Sequence, residues 1–294
     1  MAGAEPARSV DRRDGPARAR GGARRAPVSA AGADGAIVHP TAIVARGSVL
    51  GPGVRIGAYT VIAEHVKIGS GTWIGPHVVI EEWTTLGRDC RVYAGAVLGG
   101  TPQDRHFRGE RSYLRIGDRV MVREYVSISR ATGEDAASTV GDDTQFLAYS
   151  HAGHNCRIGR GVVITNAVQI AGHVVVEDSA NIGGMAGIIQ FAQIGTLAMV
   201  GGFTRIDKDV PPYMLVNGNP YRTIAINKIG LERAGVPEET QTHLRRAHRL
   251  LVRAGLDLSH AIDKIATDCP AVPEIRHLVE FLRASQERGI GIRR

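Results

Sequence analysis

Val38-His39-Pro40-Thr41-Ala42-Ile43-Val44-Ala45-Arg46-Gly47-Ser48-Val49-Leu50-Gly51-Pro52-Gly53-Val54-Arg55-Ile56-Gly57 opens a run in which every sixth residue is aliphatic. The series continues through Ile62, Ile68, Ile74, Ile80, Leu86, Val92 and Leu98. Glycine follows the aliphatic residue at 51, 57, 69, 75, 87 and 99, and small or β-branched residues stand four places after it (Val54, Thr60, Val66, Thr72, Val78, Thr84). A period of six fits neither a helix of 3.6 residues per turn nor an alternating strand, and it is a known period of parallel β-helices. Each six supplies a short strand and a turn, and three make one triangular coil. The aliphatic and the small residue are expected to share the interior. The glycine is expected to permit unusual corner angles, with coils stacked at about 4.8 Å.

The frame breaks at the polar stretch 99–115, resumes at Ile116, Val122 and Ile128, and breaks again at 129–139. From Val140 it runs through Phe146, Ala152, Ile158, Ile164, Ile170, Val176, Ile182, Ile188, Ile194, Val200 and Ile206. Both interruptions are expected to be loops leaving the prism at its corners, where function tends to sit. Handedness does not follow from the pattern. Asp209-Val210-Pro211-Pro212-Tyr213 ends the repeats and Asn217-Gly218-Asn219-Pro220 signals a turn. Beyond it the spacing becomes helical. Leu244, Ala247, Leu250, Leu251 and Ala254 form one apolar face between Pro237 and Gly255. Ala261, Ile262 and Ile265 predict a second helix, and Ile275, Leu278, Val279 and Leu282 a third, to about Gln286. The division is therefore a tail (1–35), a β-helical domain (36–223) and a C-terminal helical domain (224–294).

Residues 1–35 hold seven Arg and four acids, contribute part of the formal net charge of +7, and carry almost no large apolar side chains. That composition predicts disorder; four acids and no amphipathic stripe argue against a transit peptide. Without aromatic interleaving or a nucleic-acid motif, the positive charge does not indicate DNA or RNA. It suits an acidic carrier or a phosphorylated substrate. No apolar run reaches membrane-spanning length, and three scattered cysteines (Cys90, Cys156, Cys269) suit a reducing compartment, so the expected location is cytoplasmic. Cys90 and Cys156 fall on inward small positions and read as buried thiols.

Chemistry concentrates at Ser150-His151-Ala152-Gly153-His154-Asn155-Cys156 and Ala171-Gly172-His173. Ala152 holds the inward slot, so core filling does not explain both His151 and His154. Imidazole titrates near neutrality and can take a proton from a hydroxyl. Three histidines are also a zinc-site composition, but the spacing 151, 154, 173 does not resemble that of β-helical carbonic anhydrases, and no metal is expected.

Over roughly residues 36–290 the chain resembles the acyl-carrier-protein-dependent UDP-N-acetylglucosamine O-acyltransferases, which begin lipid A synthesis. The resemblance is carried by Gln103-Asp104, the 151–156 segment, Ile170-Ala171-Gly172-His173-Val174, Ile182-Gly183-Gly184-Met185, Gln190-Phe191, Met199-Val200-Gly201-Gly202, the 209–213 segment, Gly218-Asn219, and Gly230-Leu231 with Gly235. It implies a left-handed β-helix trimer with active sites between subunits, and no cofactor beyond the phosphopantetheine of the acyl carrier protein. It implies His154 as general base on the sugar 3-hydroxyl and the Gly172 N–H as oxyanion donor. Gln103, Asp104, His106, His151, His173 and Gln190 would line the sugar and acyl sites, Asn227 and Arg233 the nucleotide, and Gly202 would leave room for a longer acyl chain. Five positions depart from the family pattern: His106 for Lys, Asn155 for Asp, Ile189 for His, Ile229 for Glu and Ala234 for Arg. Three readings of the acceptor and role therefore stand: UDP-N-acetylglucosamine, another hydroxyl or amine acceptor such as an amino-sugar nucleotide, or a non-catalytic trimer.

Overall fold

A computed structural model describes residues 35–294, so the expected disorder of the N-terminal tail concerns residues outside those described. Among the described residues, β1 (Ile37–Val38) through β26 (Arg205–Ile206) are mostly two-residue strands, most of them ending on the inward aliphatic residue of the hexad. They form three sheets, here called faces A, B and C, in which each strand pairs in parallel with the third strand after it. Ile37 faces Arg55 and Val38 faces Ile56, a step of eighteen residues that makes one coil of three hexads. The aliphatic residues from Val44 onward are buried, as are Val54, Thr60, Val66, Thr72, Val78 and Thr84 four places after them. Cys90 and Cys156 fill two of the same inward slots, and burial pushes the Cys156 thiol up to about 12.

The glycine after the aliphatic residue takes the expected unusual angle at Gly99 (φ 77), but elsewhere it has a different task. Gly51, Gly57, Gly69, Gly75 and Gly87 keep ordinary negative φ, but a Cβ on Gly69 would lie 2.5 Å from the backbone carbon and oxygen of Gly87 in the next coil. Coil-on-coil spacing leaves no volume there. The left-handed turn instead falls three residues after the aliphatic, on non-glycine residues such as Tyr59 (φ 58), His77 (φ 56), His173 (φ 61) and Phe191 (φ 66). Such angles cost an L-residue about 1–2 kcal/mol. Stacking between successive corners offsets part of that cost: Tyr59 lies on His77, His65 on Trp83, and His173 on Phe191 at 4.8 Å.

Both interruptions leave at the same edge. β11 (Val97–Gly100) and β14 (Ser127–Ser129) belong to face B, while the strands that follow, β12 (Tyr113–Ile116) and β15 (Ala137–Val140), belong to face C. The inserted segments are thus 101–112 and 130–136, shorter than the breaks in the repeat because β11, β12 and β15 extend to four residues. The register absorbs them: Arg91 pairs with Met121 and Met121 with Gln145, before the eighteen-residue step returns.

The coil ends on Asp209, which is fully buried and accepts from Gln193 N at 2.7 Å, from Ser285 Oγ at 2.5 Å, and from Arg288. An antiparallel hairpin of β27 (Met214–Gly218) and β28 (Tyr221–Ile226) follows, turning at the predicted Asn217–Pro220 segment. Then come α1 (Lys228–Arg233), α2 (Glu238–Val252), α3 (Leu258–Asp268) and α4 (Pro273–Glu287). The last three match the predicted helices, whereas six-residue α1 is too short to leave a periodic trace. Tyr213, Met214 and Ile226 join the apolar faces of all four helices in a second core. His277 of α4 reaches back to the coil through Glu177 Oε2 at 3.1 Å and Tyr213 Oη at 2.9 Å.

Gly69→Ala is expected to destabilise the protein by about 1–3 kcal/mol, because the obstructing atoms are backbone. Gly187→Ala, whose Cβ would meet nothing within 4 Å, is expected to stay within about 0.5 kcal/mol. Denaturant midpoints of the two variants check the contrast.

Candidate active site

His154 sits two residues after the inward Ala152, at the B/C edge from which both inserted loops leave, and only 5 % of it is exposed. Asn155 fixes its ring. The Asn155 amide is oriented by Thr132 of the second loop, whose N–H donates to Oδ1 at 2.9 Å and whose carbonyl accepts from Nδ2 at 3.0 Å. With Oδ1 so placed, the 2.8 Å contact between it and His154 Nδ1 requires that Nδ1 carry the proton and donate. Nε2 then holds the lone pair. That nitrogen lies over Gly172: a Cβ built there would be 2.6 Å from Nε2. The Gly172 N–H donates to no acceptor among the described residues. A basic ring nitrogen beside a free backbone donor can take a proton from a nucleophile and stabilise the oxyanion it generates.

His173 stands at the next coil's corner, its ring perpendicular to that of His154 with centroids 5.1 Å apart. Burial, reinforced by His154, lowers its pKa. Asp104 and His106 come from the first loop. Asp104 Oδ1 accepts from the His106 N–H at 2.9 Å and contacts His106 Nδ1 at 3.0 Å. That backbone donor holds the carboxyl at about 2 despite the opposing effect of burial. Gln103 beside it is exposed. The second loop is fastened to the first by the Gly133 N–H donating to Glu110 Oε1 at 2.8 Å.

His151 belongs to the flat surface of face B. Its Nδ1 is 2.8 Å from Ser127 Oγ, and burial lowers its pKa. His173 and Gln190 line a cavity of about 920 Å³ on face C, together with Asn155, Ile189, Arg157 and Lys208. Asn227 and Arg233 line a separate cavity of about 670 Å³ on face A, with Ile229, Ala234 and Met199. Asn227 also caps α1, accepting from Gly230 N at 3.1 Å and donating to Leu197 O at 2.8 Å. No residue lines both cavities, and they lie on different faces of the prism. Gly202 is exposed in the turn two residues after inward Val200, where the chain leaves face A. One chain therefore does not bring the expected base and nucleotide residues together.

Sequence reasoning missed Thr132, Arg157, Lys208 and Arg288 as neighbours of this region. Thr132 acts through its backbone, which carries no side-chain signal. Arg157 is one outward residue of an ordinary hexad, and Arg288 arrives from the far end of the chain. Among the described residues no group of three or more His, Cys, Asp or Glu is arranged to hold a metal ion, and no helix is long and apolar enough to cross a membrane.

Residues 209–291 match the family described as UDP N-acetylglucosamine O-acyltransferase, domain 2, and residues 65–100 match the bacterial transferase hexapeptide repeats. The acyl-[acyl-carrier-protein]–UDP-N-acetylglucosamine O-acyltransferase of Gloeothece citriformis is 46% identical over 195 residues, covering 66% of this chain and 70% of that protein. That of Anaeromyxobacter dehalogenans is 41% identical over 193 residues, covering 65% and 75%. The crystal structure of a UDP-N-acetylglucosamine acyltransferase from Bacteroides fragilis superposes with a TM-score of 0.83 at 32% identity, over 87% of this chain and 99% of that one. The fold class is the left-handed parallel β-helix of hexapeptide repeats with a C-terminal helical domain.

Gly172→Ala places a methyl group against the His154 side chain rather than against backbone. It is expected to change the His154 imidazole nitrogen shifts while moving Tm by less than about 3 °C, which NMR and thermal melting of the variant check.

Proposed function

The chain belongs to the acyl-[acyl-carrier-protein]–UDP-N-acetylglucosamine O-acyltransferases, and we propose that it moves a fatty acyl group from acyl carrier protein to the sugar 3-hydroxyl with His154 as base. In that reaction His154 Nε2 takes the 3-hydroxyl proton as the oxygen attacks the thioester carbonyl. The tetrahedral oxyanion receives the free Gly172 N–H. Collapse expels the phosphopantetheine thiolate, and the proton held on His154 goes to that sulfur. The observation that carries this reading is the basic Nε2 lying over a glycine with an unused N–H. The chemistry asks for a base and an oxyanion donor, and for no cofactor beyond the carrier's own arm. As the first step of lipid A synthesis it belongs in the cytoplasm.

A homotrimer supplies what one chain lacks. His154 and His173 lie along one edge, whereas Asn227 and Arg233 line a cavity on another face. A neighbouring copy packed against the B/C edge would present its Asn227 and Arg233 to the diphosphate, where the guanidinium fork suits phosphate oxygens. Gln103, Asp104 and His106 would hold the sugar, and His173 and Gln190 the arm and acyl group. His151 would lie at the margin of that interface, and Gly202 would leave the acyl end open. A second reading keeps acyl transfer but changes the acceptor. It is favoured by Ile189 and Ile229, apolar residues that each line one of the two cavities in place of the family's His and Glu.

Turnover of UDP-N-acetylglucosamine with a panel of acyl carrier proteins, read by mass spectrometry, is expected to give a 3-O-acyl product. No product with any donor would favour the altered acceptor. His154→Ala is expected to lose about 10²–10⁴ of the rate with its oligomeric state intact by light scattering; near-full activity removes the assignment. Randomly mixed trimers of His154→Ala and Arg233→Ala are expected to recover about a quarter of wild-type activity, since one interface in four would pair intact halves.

A further inference from the structure

We propose that Asp104, from the inserted loop, supplies the negative charge that stabilises the His154 imidazolium, a task its sequence neighbour Asn155 is unable to perform. This rests on the base reading of His154 and goes beyond the sugar-lining place given to Asp104 above. Asn155 is committed to an amide's chemistry. Its Nδ2 donates to Thr132 O at 3.0 Å, where a carboxylate would set oxygen against oxygen. The amide therefore staples the second loop and fixes the His154 tautomer, but it is neutral. A proton on Nε2 during the reaction creates a cation in a site only 5 % exposed. Without an opposite charge, burial disfavours that cation.

Asp104 is placed to supply it. Its two oxygens divide the work: Oδ1 is taken by the N–H and ring of His106, while Oδ2 lies 3.8 Å from His154 Nδ1. That distance is too long for a hydrogen bond, and the Nδ1 proton is already given to Asn155. Asp104 thus acts through its field, and with its side chain 13 % exposed that field is poorly screened by water. The other groups around the ring offer no substitute. His173, 5.1 Å away, has its own pKa lowered by burial and by His154. His106 faces the far oxygen of Asp104. Cys156 turns inward, with its thiol held protonated by burial. Arg157, Lys208 and Arg288 line the adjoining cavity and would add positive charge. Asp104 is a positioning residue in this sense: it sets the basicity of the group that touches substrate.

The test is Asp104→Asn, which keeps the Oδ1 acceptor that the His106 N–H uses and removes only the charge. The His154 imidazole is titrated by NMR in the free full-length protein, with His154→Ala identifying its resonance. Removing the opposite charge removes the Coulomb attraction that favours the protonated ring, so the His154 titration is expected to move to lower pH. The acid limb of kcat/KM should move to lower pH by the same amount, and kcat should fall about tenfold. A His154 titration unchanged in Asp104→Asn overturns the proposal. The base reading fails separately, if His154→Ala keeps its activity. A variant that no longer binds sugar is still decided by the titration, which needs no substrate.

Discussion

Backbone hydrogen bonds between each coil and the next govern the rest of this molecule. Ile37 N donates to Val54 O, Gly57 N to Ile74 O and Gly153 N to Ile170 O, each at 2.8 Å, and the ladder fixes the rise per coil. At that rise the corners are crowded. The residue after each inward aliphatic must often do without a Cβ, and the third residue must take a left-handed backbone even when it is Tyr, His or Phe. The same repeat aligns like positions in columns, so a corner side chain always lies against those one coil before and after it. Tyr125 on Tyr149 and His173 on Phe191 are consequences of this alignment.

The ladder also dictates where novelty can enter. A strand in the middle of a face has partners on both sides, so extra residues are tolerated only at an edge. Both insertions use the B/C edge, and together they roof over it. His154 is buried by that roof, although its position in the hexad would otherwise leave it at the rim. The backbone of Thr132 then orients Asn155, and Asn155 orients the ring. Rigid coil, pinned loop and ring form a chain of constraint in which each member is satisfied by the previous one.

Charge is distributed over the same chain of contacts. The adjacent amide supplies direction and the distant carboxylate supplies field, so two demands on one histidine are met by residues fifty-one positions apart in sequence. The departures from the family pattern look different in that light. Asn155 is explained by its loop contact. Ile189 and Ile229 make two separate cavities more apolar, and Ala234 ends α1 as its C-cap.

The coil was legible in the chain, because a six-residue period is a one-dimensional signal of a one-dimensional stack. So were the two loops to within a few residues, the three longer helices from their apolar spacing, and the segment holding His154, Gly172 and His173. The sequence misassigned the glycine after the aliphatic residue at every coil except Gly99 (φ 77), since a steric collision with the next coil is invisible locally and resembles a demand for unusual angles. Only the tertiary structure decided that His151 belongs to a flat face while His154 is enclosed, that both loops share one edge, and that Asp104 stands beside the ring. It alone separated Asn227 and Arg233 from His154 on different faces of one chain. Those facts depend on which edge each hexad reaches and on backbone atoms that carry no residue identity, and distance along the chain encodes neither.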